Sequence, residues 1–97
     1  MSKKLPSYLV VESDRVTVSL SKPAEANGVQ VDKLTLRAPT VRDVRAATST
    51  TGDDEQREMN LFASLAEVGV KDLEGLTLKD YTRLQAGYFR LVQEDEL

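Results

Sequence analysis

At Pro39 the hydrophobic pattern of this chain changes period, and that change sets the order of its architecture. Upstream, "RVTVSL" (15–20) alternates, with Val16, Val18 and Leu20 to one side and Thr17 and Ser19 to the other, the pattern of a half-buried strand. "VQVDKLTLR" (29–37) reads as a second strand, and Asn27-Gly28 between them suits a type I′ hairpin turn, whose two central residues both need positive φ. Downstream of Pro39, apolar residues recur at helical spacing. The spacing predicts an α+β fold: an N-terminal antiparallel β-hairpin followed by a bundle of about three helices.

The hairpin carries an internal conflict. Val29 and Val31 are odd-numbered, whereas Leu34 and Leu36 are even-numbered. Pairing about a two-residue turn puts Leu20 opposite Thr35, on the wrong face. Side chains alternate with period two, so one extra residue must enter the ladder to bring the leucines back. The predicted place is a bulge near Asp32-Lys33 or at Pro23, which has no N–H for the ladder.

The helical half is punctuated by a repeated grammar, "PTVRDV" (39–44) and "LTLKDY" (76–81). Thr40 and Thr77 read as N-caps, with Asp43 and Asp80 at N3 reaching back to the cap amide. Pro39 with Val44, and Leu76 with Tyr81, occupy the positions of a hydrophobic staple. These motifs mark helix entries and do not pair into a catalytic site. Helices are expected over 40–48, with Val41, Val44 and Ala47 on one side, then from Asp53 to Val68, and from Thr77 to about Val92. Asp53 and Gln56 are spaced as a capping box, and Gly69 suits a left-handed C′ position with Val70 folding back on Leu65. Residues 49–54 read as a polar linker and 71–75 as a tight connector.

With 97 residues the chain suits one domain with one modest core, built mainly from Leu, Val and Ala because aromatics are few. The expected division is a flexible N-terminal arm at 1–14, in which Tyr8-Leu9-Val10-Val11 is alternatively a strand that adds to something else, a single α+β domain at 15–92 and an acidic tail at 93–97. Glu94, Asp95 and Glu96 would lie beside the negative end of the last helix, where fraying is expected. No run approaches the roughly 18 apolar residues of a membrane span, and the first residues do not read as a signal peptide.

The residue inventory argues against most chemistry. Histidine and cysteine are absent, and the five glycines stand alone, so no zinc site, thiol nucleophile or phosphate-cradling loop is expected. Asp53-Asp54-Glu55 and Glu94-Asp95-Glu96 are polar runs at helix ends, where solvated charge is the ordinary outcome. No enzyme activity, cofactor or metal is expected. A net charge of −3 argues against nucleic acid as a partner. The one basic cluster, Lys33 with Arg37, Arg42 and Arg45, raises a helix-turn-helix reading, but the acids of "STTGDDEQRE" then fall where phosphates should lie.

The helices carry more apolar surface than a small core requires. Met59, Phe62, Ala63 and Ala66 share one arc, with Leu61, Leu65 and Val68 almost opposite. The last helix carries Leu78, Tyr81, Leu84, Tyr88, Phe89, Leu91 and Val92 over an arc of roughly 160°, where a surface helix needs little more than about 100°. Either the middle helix is sandwiched, or a face is left for another protein. The candidate partner-binding residues are Leu61, Phe62, Leu65, Leu78, Tyr81, Tyr88 and Phe89, with Leu61, Leu78 and Phe89 leading because they lie off the main stripes. Gly87 weakens its helix and implies a close approach there.

"LTLRAPTVRDVRAA" (34–47) and "LFASLAEVGVKDLEGLTLKDYTRLQ" (61–85) together resemble the small tail assembly chaperones of long-tailed phages and prophages. Leu34, Leu36, Arg37, Pro39, Thr40 and Asp43 carry the first block, and Leu76, Asp80, Tyr81 and Leu84 the second. "VSLSKP" (18–23) fits the lead-in strand, so the likeness spans about 16 to 92. It implies a non-enzymatic factor of the host bacterial cytoplasm, absent from the mature virion, that binds the tape-measure protein, keeps it soluble and helps recruit tail tube subunits. It also implies a longer frameshift form of the same chain. The alternatives are a small structural or adaptor subunit of a phage particle and a DNA-binding regulator using Arg37, Arg42 and Arg45.

Overall fold

The alternation of "RVTVSL" is realised as the middle strand of a three-stranded antiparallel sheet, ordered β1-β2-β3. The computed structural model describes residues 6–49 and 52–93. Its elements are β1 (Leu9–Val11), β2 (Arg15–Ala26), β3 (Val29–Arg37), α1 (Val41–Thr48), α2 (Asp54–Ala66), α3 (Val70–Glu74) and α4 (Leu78–Val92). The α+β class and the order of sheet and helices are as expected. The expected fraying at Glu94, Asp95 and Glu96 lies outside the described residues.

Asn27 and Gly28 turn the hairpin with φ of 55° and 80°, the positive values a type I′ turn demands. The bulge takes in both expected positions, Pro23 on β2 and Asp32 on β3. Ser19 pairs with Lys33 and the next pair is Ala24 with Val31, so four residues of β2, 20–23, lie against Asp32 alone. Three residues are therefore extra, not one. Any odd number restores the parity: Val16 faces Leu36, Val18 faces Leu34, and all four are buried.

The segment expected as an arm contributes a strand. Leu9–Val11 pairs with residues 16–18 of β2, and Leu9 is in the core. The Ser19 amide donates to the Tyr8 carbonyl at 2.8 Å, and Arg83 of α4 donates to the Ser19 carbonyl at 3.0 Å while lying 4.5 Å over the Tyr8 ring. Three residues are too few to show a period, and what holds them is non-local.

The helices cover one sheet. α4 packs on β2 and β1, α2 on β3, and α1 on α2. Gly87 permits the α4 contact, because a Cβ there would meet Val18 Cγ2 at 3.1 Å, Val16 Cγ1 at 3.3 Å and Leu9 Cδ2 at 3.4 Å. The close approach is inside the fold. Phe62 is fully buried, its ring 5.7 Å from that of Tyr81 and 5.1 Å from that of Tyr88, which joins α2 to α4.

Two helix ends depart from expectation. α2 closes at Glu67, which takes the left-handed conformation (φ 59°, ψ 44°), with Val68 N donating to Ala63 O at 3.0 Å and Glu67 N to Ser64 O at 3.3 Å, the Schellman pair. Gly69 is instead the N-cap of α3, a five-residue helix where a plain connector was expected. Asp53 caps α2 by accepting from Gln56 N at 2.9 Å, but the Gln56 amide turns to Asn60 at 3.1 Å, so the box is one-sided.

The aspartates at the third position of three helices tie those helices to the hairpin. Asp43 completes the capping box with Thr40 and takes a bidentate bond from Arg37 at the end of β3, at 2.7 and 3.0 Å. Asp72 accepts from the Gly69 amide and from the Asn27 amide at the hairpin tip, at 3.1 and 3.2 Å. Asp80 was expected to reach back to its own cap. Thr77 does accept from the Asp80 amide at 3.2 Å, but the Asp80 carboxylate accepts from the Ser21 amide in the β2 bulge at 2.7 Å. An amide freed by the bulge is thereby satisfied, and α4 is fixed over the sheet.

Candidate partner-binding surface

Holding α4 to the sheet by Gly87, Leu84 and Asp80 leaves its opposite side uncovered. Leu84, Gly87 and Asp80 are buried, while Leu78 is 79% exposed, Phe89 59% and Val92 47%. At about 100° per residue these three fall within an arc of about 60°. Gln85 lies within that arc and Thr82 about 20° beyond its edge, so the face is an apolar stripe with one polar interruption and a polar neighbour. Tyr81 and Tyr88, half-buried against Phe62, form its shoulder toward α2.

The seven candidate residues therefore divide. Leu78 and Phe89 are on the surface, and Tyr81 and Tyr88 border them. Leu61, Phe62 and Leu65 are in the core, the first because α2 is enclosed by β3, α1, α3 and the α4 rings. They support the face from behind and are not presented by it. Val92 belongs to the stripe and was not among the candidates, although its i+14 spacing from Leu78 places it there. Away from α4, Val41 on α1 is 76% exposed, contrary to the expected inward side shared with Ala47, which alone of α1 is buried.

The electrostatics at this face are asymmetric. Glu58 of α2 accepts from the Tyr81 hydroxyl at 2.8 Å and from the Gln85 amide at 3.0 Å, holding a carboxylate against the stripe. Burial first, then the bond to Glu58 and the charges of Glu58 and Glu55, push the Tyr81 hydroxyl well above its ordinary range. Beside the stripe's N-terminal end, Tyr8, Leu78, Lys79, Thr82 and Arg83 line an open groove of about 490 Å³.

Away from this face, Asp43 and Asp80 hold structural charges. The hydrogen bond from Arg37, then the Thr40 amide, hold the Asp43 carboxyl well below the usual carboxylate range. Burial pushes Asp80 up, but the Ser21 amide and hydroxyl, the Lys22 amide and the Thr77 hydroxyl outweigh it, and its net shift is downward. With Arg37 committed to Asp43, the basic cluster is reduced to Lys33, Arg42 and Arg45. Among the described residues no group of carboxylates is arranged to hold a metal ion, and no helix is long and apolar enough to cross a membrane.

Comparison with known proteins adds one finding. A family model described as "Phage tail assembly chaperone proteins, E, or 41 or 14" matches residues 17–93, which takes in most of β2, all of β3 and the helices α1 to α4. No curated protein and no solved structure matches.

Proposed function

Because this chain belongs to the phage tail assembly chaperone family, we propose that it binds the tape-measure protein through the outer face of α4 before the tail tube polymerises. A long helical tape measure is apolar along one side and aggregates if released alone. Leu78, Phe89 and Val92, bordered by Tyr81 and Tyr88, cover part of that side by helix-to-helix packing. The exposed stripe on α4 is the observation that carries this reading. An apolar row on a helix whose sheet-facing side is already filled has no partner inside the fold. The charged remainder of the surface keeps the complex dispersed.

In this reading the protein acts without catalysis, in the host cytoplasm, and leaves before the virion is complete. A bound tape measure also brings the chaperone to the tail tube subunits, and a longer frameshift form of the same chain shares the same domain. Co-expression with the tape-measure protein tests the proposal. The client should move from the insoluble to the soluble fraction and co-purify with the chaperone. A client that stays insoluble and is never retained refutes it.

A further inference from the structure

We propose that the outer face of α4 accepts one amphipathic helix of the partner and that the charged edges of the face set the direction in which that helix runs. The proposal rests on the reading that this face binds a helical client, and adds what the client's flanks must carry. From Leu78 to Val92 the stripe is about 21 Å long, enough for some four turns of a partner helix. Along it, Leu78, Gln85 and Val92 recur at seven, as do Tyr81 with Tyr88 and Thr82 with Phe89. That is the repeat of a seam between two helices lying nearly along one another.

The two sides of the seam differ in sign. Toward α2, the Glu58 carboxylate is fixed by Tyr81 and Gln85, and the exposed Glu55 lies one turn before it. On the other side, Lys79 and Arg90 lie about 80° and 100° round the helix from Phe89. Neither forms an ion pair among the described residues, whereas nearby Arg83 is held by Tyr8 and Ser19. A partner helix therefore meets carboxylates along one edge and cations along the other. One that carries a basic edge and an acidic edge matches in one orientation only. Turned end for end, it presents the same stripe with its edges exchanged, and like charges meet. A few exposed pairs of this kind amount to about a tenfold preference at low salt, weakening as salt is added.

The test uses the full chain and synthetic helical peptides of about three heptads, each with Leu at the seam positions and a nitroxide at its N-terminus. One peptide has a Glu edge and a Lys edge, a second exchanges those edges, and a third has Gln on both. Affinity is read by fluorescence anisotropy, and direction by paramagnetic broadening at the Thr77 or the Gln93 end of α4. Both charged-edge peptides should bind about tenfold more tightly than the Gln-edged one in low salt, and broaden opposite ends of α4. In the triple variant E55K/K79E/R90E each should broaden the other end. Equal affinities, or broadening at both ends by every peptide, overturn the directional reading while leaving the face as a binding surface. Failure of all three peptides to bind removes the face itself. A dimer that L78D abolishes assigns it to a second copy, and also overturns the proposal.

Discussion

Replacing Asp80 by Asn isolates the contact that joins the last helix to the sheet. Asp80 is 1% exposed, and its carboxylate lies 2.7 Å from the Ser21 amide. The Lys22 amide and the Ser21 and Thr77 hydroxyls also favour its charged form. Asn keeps the volume and one acceptor, but it removes the charge and turns an NH₂ toward groups that are themselves donors. A hydrogen bond to a charged group contributes about 1.5–3 kcal/mol and a neutral one about 0.5–1.5. With two backbone amides affected, Asp80→Asn should destabilise by roughly 2 kcal/mol, or about 10 °C in Tm for a domain of this size. Thr77→Ala, which removes the helix cap and one hydroxyl from beside Asp80 but leaves the carboxylate and the bulge amides, should cost about 1 kcal/mol. Urea unfolding followed by far-UV circular dichroism measures both, and an unchanged slope would show that stability alone has moved. An Asp80→Asn protein within about 0.5 kcal/mol of the parent, inside the range of an ordinary surface change, would mean that the bulge holds itself and the carboxylate is incidental.

Acid should weaken the fold in a defined direction. Asp43 and Asp80 both have folded pKa values below the unfolded ones, so the unfolded chain takes up protons first as pH falls. Their contribution is complete above the ordinary carboxylate value and is lost on acidification through the folded values. A D43N/D80N double variant, less stable at neutral pH, should show a flatter acid limb in urea titrations from about pH 6 to about pH 2. Glu67→Gly should raise stability by about 1 kcal/mol, because glycine takes the left-handed position at the end of α2 without the Cβ clash; thermal denaturation reads the gain. Gly87→Leu should cost about 2 kcal/mol or more, since even a Cβ already crowds Val16 and Val18, and should be seen as an early urea midpoint.

Local chemistry was legible and non-local partners were not. Asn27-Gly28, the phase conflict between Val31 and Leu34, and the caps at Thr40, Asp53 and Thr77 are each decided within a few residues, and all stand in the fold. The bulge was located, but not its length, because parity distinguishes odd from even and not one from three. Leu9–Val11 and Val70–Glu74 are shorter than any period can report. Residue preference puts Gly69 at the end of α2, yet the next helix uses it as a cap and leaves Glu67 in the left-handed turn. Asp80 has the spacing of a capping box, and only the fold shows that its carboxylate goes to an amide 59 positions away. Of the candidate surface, Leu78 and Phe89 were separable from the core by their angle on α4. Leu61 was not, because α2 has neighbours on several sides and an off-stripe residue there is still enclosed.

Side-chain NMR of the chaperone during titration with a tape-measure fragment bears most directly on the central claim. Burying a Leu or Phe side chain contributes about 1.5–3 kcal/mol, so covering Leu78 and Phe89 at their present exposure is worth roughly 3 kcal/mol, or about a hundredfold in Kd. The methyl groups of Leu78 and Val92 and the ring of Phe89 should shift together, while those of Val29 and Val41 stay in place. L78D/F89D should lose about a hundredfold in affinity while keeping the parent's helical signal. Shifts confined to Val29 or Val41, or an L78D/F89D chain that binds as the parent does, would contradict the assignment of the α4 face.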